Sequence, residues 1–79
     1  MNTVPFTIRV ECFAGYHGEE MPRRFFLGNN SIEIEDVLDR WLSPEFCYFK
    51  VRADENDIYI LRYDELTHQW EMTMFESGK

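Results

Sequence analysis

Residues 47–63 read Cys-Tyr-Phe-Lys-Val-Arg-Ala-Asp-Glu-Asn-Asp-Ile-Tyr-Ile-Leu-Arg-Tyr and contain two candidate β-strands separated by a polar turn. Aromatic and β-branched residues dominate 47–53 and 58–63, as is typical of strands, whereas the four polar residues between them fit a hairpin turn. Neighbouring apolar residues such as Tyr48 and Phe49 must point to opposite faces of a strand. The segment therefore predicts an antiparallel hairpin in a sheet that is covered on both faces, as in a small barrel.

The chain on either side of this hairpin shows the same period of two. Phe6, Ile8 and Val10 alternate with polar residues, and Gly28-Asn29-Asn30-Ser31 is typical of a tight turn. The predicted strands are residues 6–12, 23–27, 32–41, 47–53, 58–63 and 70–75. Six short strands predict an all-β fold: one domain over residues 1–79, an antiparallel meander curled into an SH3-like or otherwise open barrel.

The alternation also predicts which side chains form the core. The expected core residues are Phe6, Ile8, Val10, Phe25, Leu27, Ile32, Ile34, Tyr59, Leu61, Trp70, Met72 and Met74.

Residues 36–42 fit two structures. Val37, Leu38, Trp41 and Leu42 have the spacing of a helical stripe, but Val37 and Trp41 also fit a strand. An extra residue at 35–36, as in a β-bulge, would reconcile the segment with a single bent strand from Ile32 to Trp41. We expect the bulged strand, with a helical turn as the alternative.

The sequence resembles, over nearly its whole length, a family of small stand-alone bacterial proteins of unknown function. The resemblance implies a bacterial cytoplasmic protein and no particular chemistry. The motifs that carry it are Pro22-Arg23-Arg24-Phe25-Phe26-Leu27-Gly28, Val37-Leu38-Asp39-Arg40-Trp41, Tyr48-Phe49-Lys50-Val51-Arg52, Asp57-Ile58-Tyr59-Ile60-Leu61-Arg62-Tyr63-Asp64 and Trp70-Glu71-Met72.

The charge balance narrows the classes of partner. Fifteen acidic and eight basic residues give a net charge of −7, and the basic residues are dispersed along the chain. Such a field repels phosphate backbones and anionic lipids, so we expect no direct nucleic-acid or membrane binding. No apolar segment reaches the ~20 residues of a membrane helix, and no signal peptide opens the chain. These features predict a cytoplasmic protein.

The residues that could carry catalysis or bind a metal are few. Cys12, His17, Cys47 and His68 lack the close pairs of a structural zinc site, and the turn at 54–57 lacks the glycine and glutamate of a calcium loop. We therefore predict no metal, no cofactor and no catalytic residue. If the chain were a small enzyme, Cys12 and His17 would be the pair to carry the reaction.

A binding surface is the remaining candidate site. Arg24 and Phe26 share the outward face of their strand, and Arg40 and Trp41 are of the residue types that dominate interfaces. In the predicted hairpin, Phe26 lies near Glu33 and Arg24 near residue 35. We therefore expect a non-enzymatic protein-interaction module that binds another protein or a second copy. The alternatives are a small-molecule binder in the barrel mouth and the small enzyme described above.

Overall fold

Six antiparallel strands pair in chain order and close into a barrel in the computed structural model, which describes residues 6–14 and 20–78. The predicted all-β antiparallel barrel is confirmed. The barrel is closed rather than open, because Phe6 and Ile8 pair with Met72 and Trp70. The strands are β1 (Phe6–Ala14), β2 (Glu20–Leu27), β3 (Asn30–Leu42), β4 (Phe46–Ala53), β5 (Ile58–Asp64) and β6 (Gln69–Glu76).

Residues 36–42 belong to a bent strand, as expected, and not to a helical turn. The pairing of β3 with β4 shifts between Ile34 and Asp36 and again between Val37 and Asp39. Each shift adds one residue to β3 without a partner on β4, which bends the strand and increases its twist. The 13-residue strand can therefore follow the curve of the barrel.

The hairpin of β2 and β3 has a different register from the predicted one. Its turn contains only Gly28 and Asn29, and Gly28 has a φ of 58° in the left-handed region. Two-residue turns match the twist of paired strands, so β3 begins two residues earlier than expected. Arg24 consequently lies opposite Glu33, and Phe26 lies opposite Ser31. The predicted pairs of Arg24 with residue 35 and Phe26 with Glu33 are wrong.

The core lies between opposite walls of the barrel. Residues of β4 alternate strictly between buried and half-buried, so one face of the strand points inward and the other outward. The ring of Phe25 on β2 packs edge-on against Tyr59 on β5, with 4.8 Å between ring centroids. Burial raises the pKa of the Tyr59 hydroxyl, and the charge of Asp57 adds to this effect. Within the described part of the chain, the buried residues of the hydrophobic core are Ile8, Phe25, Cys47, Phe49, Val51, Ala53, Tyr59 and Leu61, and Pro22 is buried as well.

The two ends of the barrel carry different connections. The turns at 43–45 and 65–68 lie at the same end, because Phe46 at the start of β4 pairs with Asp64 at the end of β5. The backbone N–H of Glu65 donates to the carbonyl of Glu45 over 3.3 Å and joins the two turns. We call this end the loop end. The turns at 28–29 and 54–57 lie at the opposite end.

At the opposite end, the C-terminal tail packs closely on the β4–β5 turn. The backbone N–H of Gly78 donates to Oδ1 of Asp57 over 2.9 Å. A Cβ atom at position 78 would lie 2.2 Å from the carbonyl oxygen of Glu55, which is too close for any side chain. Glycine is therefore required wherever the tail stays docked.

We expect Gly78→Ala to release the tail from the turn while the barrel stays folded. The heteronuclear NOE of residues 77 and 78 should fall to the values of a mobile chain end, and that of Leu61 should not change. Asp57→Asn keeps an oxygen acceptor and is the matched control that should behave as wild type. Unchanged NOE values in Gly78→Ala would show that the tail is not held here.

Two structural findings bear on the function classes. Within residues 6–14 and 20–78, no helix is long and apolar enough to cross a membrane. Among the same residues, no group of three or more His, Cys, Asp or Glu side chains is placed to hold a metal ion.

Candidate functional site

The four residues predicted to bind a partner lie at two separate places. Arg24 and Phe26 are on β2, where Arg24 pairs with Glu33 near the start of β3. Arg40 and Trp41 are near the end of β3. Seven residues of strand separate Glu33 from Arg40, which corresponds to about 23 Å. The structure therefore does not bring the four residues together into one surface.

Arg24 is held by acidic residues of its own chain. Its guanidinium hydrogen-bonds the carboxylate of Glu33 on β3 and, over 3.0 Å, that of Glu11 on β1. The hydrogen bond and charge of Glu33 raise the pKa of Arg24 above its ordinary value, and Glu11 adds to this effect. Arg24 thus ties three strands together across the outer face of the barrel.

Phe26 is half-buried because an arginine covers it. The guanidinium carbon of Arg9 lies 4.1 Å from the ring centroid of Phe26, its cross-strand neighbour. Arg9 also lies 3.9 Å from the carboxylate of Glu11. The sequence predicted that the Phe26 ring is an exposed apolar surface. In the structure, the guanidinium of Arg9 lies over that ring.

Arg40 and Trp41 point to opposite sides of β3. Arg40 pairs with Phe49, whose side chain is buried, and its guanidinium lies 5.8 Å from the Phe49 ring centroid. Trp41 pairs with Tyr48 on the outward face and is 38% exposed. Trp41 is therefore the predicted site residue that displays an aromatic ring on the outside of the barrel.

Trp41 belongs to an outward-facing group of rings that we call the aromatic cluster, Trp41, Phe46 and Tyr48. The rings of Trp41 and Tyr48 stack in parallel, with 5.3 Å between centroids and 5° between planes. Phe46 meets Tyr48 at an angle of 61° and a distance of 6.1 Å. Sequence reasoning missed Phe46 and Tyr48, although both lie on the outward phase of the alternation in β4.

An ion pair supports the aromatic cluster from the side of β5 and β6. The guanidinium carbon of Arg62 lies 4.2 Å from the ring centroid of Phe46, and its Nε donates to Glu71 over 2.9 Å. Burial opposes the charge of Arg62, but hydrogen bonds with Glu71 and Tyr48 outweigh it and raise the pKa of the guanidinium. Arg62 is therefore held over the Phe46 ring at the edge of the aromatic cluster.

Three exposed apolar residues lie at the loop end: Trp41, Leu42 and Leu66. Of the seven exposed large apolar residues in the described part of the chain, Leu38 lies level with the middle of β4, and Met74 and Phe75 lie toward the opposite end of β6. Leu42 and Leu66 are the most exposed, at 64% and 75%. Exposed apolar groups that lie together are a frequent feature of binding sites on proteins. Phe13 lies apart from these residues, in a groove that it lines together with Ile34 and Val37.

An open groove lies on either side of the hairpin of β1 and β2. One groove, of about 500 Å³, separates β1 from the β5–β6 turn, because β6 begins only at Gln69. On its far side, the Tyr63 hydroxyl and Nδ1 of His68 lie 2.8 Å apart. The other groove, of about 310 Å³, lies where the bent β3 leaves β2. Residues that line the first groove include Ile8, Val10, Cys12, Tyr63, His68 and Trp70.

The grooves bear on the two alternative functions, a small-molecule binder and a small enzyme that uses Cys12 and His17. A small-molecule site is normally concave and buries most of its ligand, whereas both grooves open widely to the surface. Cys12 is half-buried at the edge of the first groove. His17, its proposed catalytic partner, lies outside the described residues, so the pair stays a prediction.

Comparisons with protein-family models, with curated proteins and with solved structures find no match to this chain.

Proposed function

We propose that this protein is a non-enzymatic interaction module that binds a partner protein through the aromatic cluster and the exposed leucines of the loop end. The observation that carries the proposal is the parallel stack of Trp41 on Tyr48 on the outward face at the end of β3, where the next residue, Leu42, is also exposed. Trp, Tyr and Arg are the residues that most often dominate binding energy at interfaces.

The contacts that hold the aromatic cluster support this role. Tyr48, Arg62 and Glu71 are cross-strand neighbours in one row over β4, β5 and β6, and the Arg62–Glu71 ion pair fixes that row. A ring that is already ordered loses little conformational entropy when a partner covers it. The cluster is therefore suited to be the centre of an interface, with polar residues around it.

The charges on the same face argue against a nucleic-acid partner. Arg62 is engaged by Glu71, and Arg52 lies 3.7 Å from Asp36. A nucleic-acid site needs basic groups that can displace counterions from phosphates, and the chain carries a net charge of −7. A protein partner fits this surface better.

The proposal predicts that a crosslinker at the loop end captures a defined partner. The photoreactive residue p-benzoylphenylalanine would replace Leu42 in the full chain, and irradiation in the native cells should give one main covalent adduct. Trp41→Ala in the same chain should lower the yield of that adduct at least tenfold, which corresponds to about 1.4 kcal/mol of binding free energy. Gel shifts and mass spectrometry measure the adduct and distinguish a second copy from another protein.

Two controls make the result specific. The same crosslinker at Phe75, an exposed aromatic position toward the opposite end, should give no such adduct. Phe26→Ser tests the other predicted place, and we expect it to change the yield by less than twofold because Arg9 already covers that ring. Equal adducts from Leu42 and Phe75, or full yield with Trp41→Ala, would contradict the proposal.

A further inference from the structure

We infer that the exposed face of Trp41 receives an arginine side chain of the partner protein, with Asp39 as the carboxylate beside it. This inference rests on the proposed function, because it assigns the chemistry of the partner at the same surface. The partner segment would then be basic, which suits a chain with a net charge of −7.

The chain itself repeats the arrangement that the inference requires. On β1 and β2, Arg9 lies over the Phe26 ring and near the carboxylate of Glu11. On β5, Arg62 lies over the Phe46 ring and is hydrogen-bonded to Glu71. In both places an outward aromatic ring lies under a guanidinium that is close to a glutamate carboxylate.

Trp41 provides an outward ring with a carboxylate, that of Asp39, nearby, but no guanidinium within residues 6–14 and 20–78 covers the ring. In the described part of the chain, guanidinium groups lie over Phe26, Phe46 and Phe49, and none lies over Trp41. Tyr48 stacks on one side of the indole, and Trp41 is nevertheless 38% exposed. Tryptophan is the aromatic side chain that binds cations best.

Asp39 lies on the same outward face as Trp41, two residues earlier along β3. Side chains at this spacing are about 7 Å apart, a distance that one guanidinium on the indole can bridge with its N–H groups. Oδ1 of Asp39 accepts the backbone N–H of Arg40 over 2.8 Å, which orients the carboxylate. Lys50 is the cross-strand neighbour of Asp39 and is the cation of this chain that would compete for it.

The geometry favours arginine over lysine as the incoming group. A guanidinium is planar, so it can stack on the indole and donate sideways to a carboxylate at the same time. An ammonium is a compact and strongly hydrated point charge that can do only one of these well. The surface should therefore discriminate between the two cations and not only respond to positive charge.

A titration of the full chain with Nα-acetyl-argininamide, followed by the amide and indole N–H signals, tests the inference. We expect saturable shifts of the Trp41 indole signal and of the backbone signals of residues 39–41 and 48. Nα-acetyl-citrullinamide has the same shape without the charge, and Nα-acetyl-lysinamide has the charge without the plane. Both should bind at least fivefold more weakly than the arginine compound.

Variants separate the contributions of the ring and of the carboxylate. Trp41→Leu keeps an apolar group and should abolish the preference for arginine over citrulline, while Asp39→Asn should weaken arginine binding about threefold. Phe75→Leu is the matched control at an exposed aromatic and should bind as wild type. Well-dispersed amide signals in the NMR spectrum of each variant will show that the variant is folded. If Trp41→Leu does not fold, Asp39→Asn still tests the inference, because Asp39 is exposed.

The possible outcomes distinguish this inference from the proposed function. Equal binding of the arginine and citrulline compounds, or arginine shifts centred on Phe26 instead of Trp41, would overturn the inference. If the adduct at Leu42 still depends on Trp41 in that case, the proposed interaction module is supported and only the arginine of the partner is ruled out. If capture does not depend on Trp41, the proposed function fails whatever the titration shows.

Discussion

Replacing Leu61 with Ala should lower the free energy of unfolding by about 2–5 kcal/mol. Leu61 is fully buried on the inward face of β5, and its cross-strand neighbours are Phe49 and Met72. Truncation removes apolar contacts and leaves a cavity that the closed barrel cannot collapse to fill. A domain of 79 residues has a total stability of only roughly 4–12 kcal/mol, so the variant should melt far below the wild type. Urea unfolding followed by tryptophan fluorescence measures the difference.

Leu66→Ala is the matched control for this experiment. The same side chain is 75% exposed in the turn at 65–68, and its truncation should change the stability by less than about 0.5 kcal/mol. If Leu61→Ala cost no more than Leu66→Ala, the inward assignment of β5 would be wrong.

Alternation along each strand predicted most of the core, because a period of two separates the inward from the outward face. Of the predicted core residues, Ile8, Phe25, Tyr59 and Leu61 are buried. Six others pack against them as partly buried residues: Val10, Leu27, Ile32, Ile34, Trp70 and Met72. Phe6 was also predicted, and its side chain lies outside the described part of the chain.

Met74 shows where simple alternation fails. Trp70, Met72 and Met74 share a face in a regular strand, which predicts that all three point inward. The pairing of β5 with β6 shifts between Ile60 and Leu61, so that Met72 lies opposite Leu61 and Met74 opposite Ile60. The extra residue turns Met74 to the outside, where it is 41% exposed. A bulge depends on the partner strand, which β6 alone does not reveal.

The same limit explains what could be predicted of the candidate site. Trp41 was identified from its residue type and from its place near the end of a strand. Its surroundings come from three other strands: Tyr48 from β4, Arg62 from β5 and Glu71 from β6. Those contacts depend on registers that turns and bulges set, so only the outward phase of β4 could have pointed to Tyr48. Arg24 shows the converse, because a two-residue change of register replaced its expected acidic partner with Glu33.

Phe25→Ala is the second substitution with a large expected effect, about 3–5 kcal/mol of unfolding free energy. Phe25 is fully buried, and its ring reaches from β2 to the ring of Tyr59 on β5, a strand that does not pair with β2. The two rings meet edge to face at 73°, the arrangement that aromatic pairs prefer. The contact therefore joins opposite walls of the barrel, and its loss should destabilise the whole domain cooperatively. Thermal and urea unfolding should both show the loss.

A double-mutant cycle separates the stability that comes from the contact between the Phe25 and Tyr59 rings from the stability that comes from burying each ring. Phe25→Leu, Tyr59→Leu and the double variant keep apolar groups in the core, and their unfolding free energies should give a coupling of about 0.5–1.5 kcal/mol. Phe13→Ala is the matched control, because that ring is 49% exposed and its truncation should cost under about 1 kcal/mol. Additive effects of Phe25→Leu and Tyr59→Leu would show that the rings stabilise the barrel only through the area they bury. A loss in Phe25→Ala no larger than that in Phe13→Ala would contradict the position of Phe25 between the two walls.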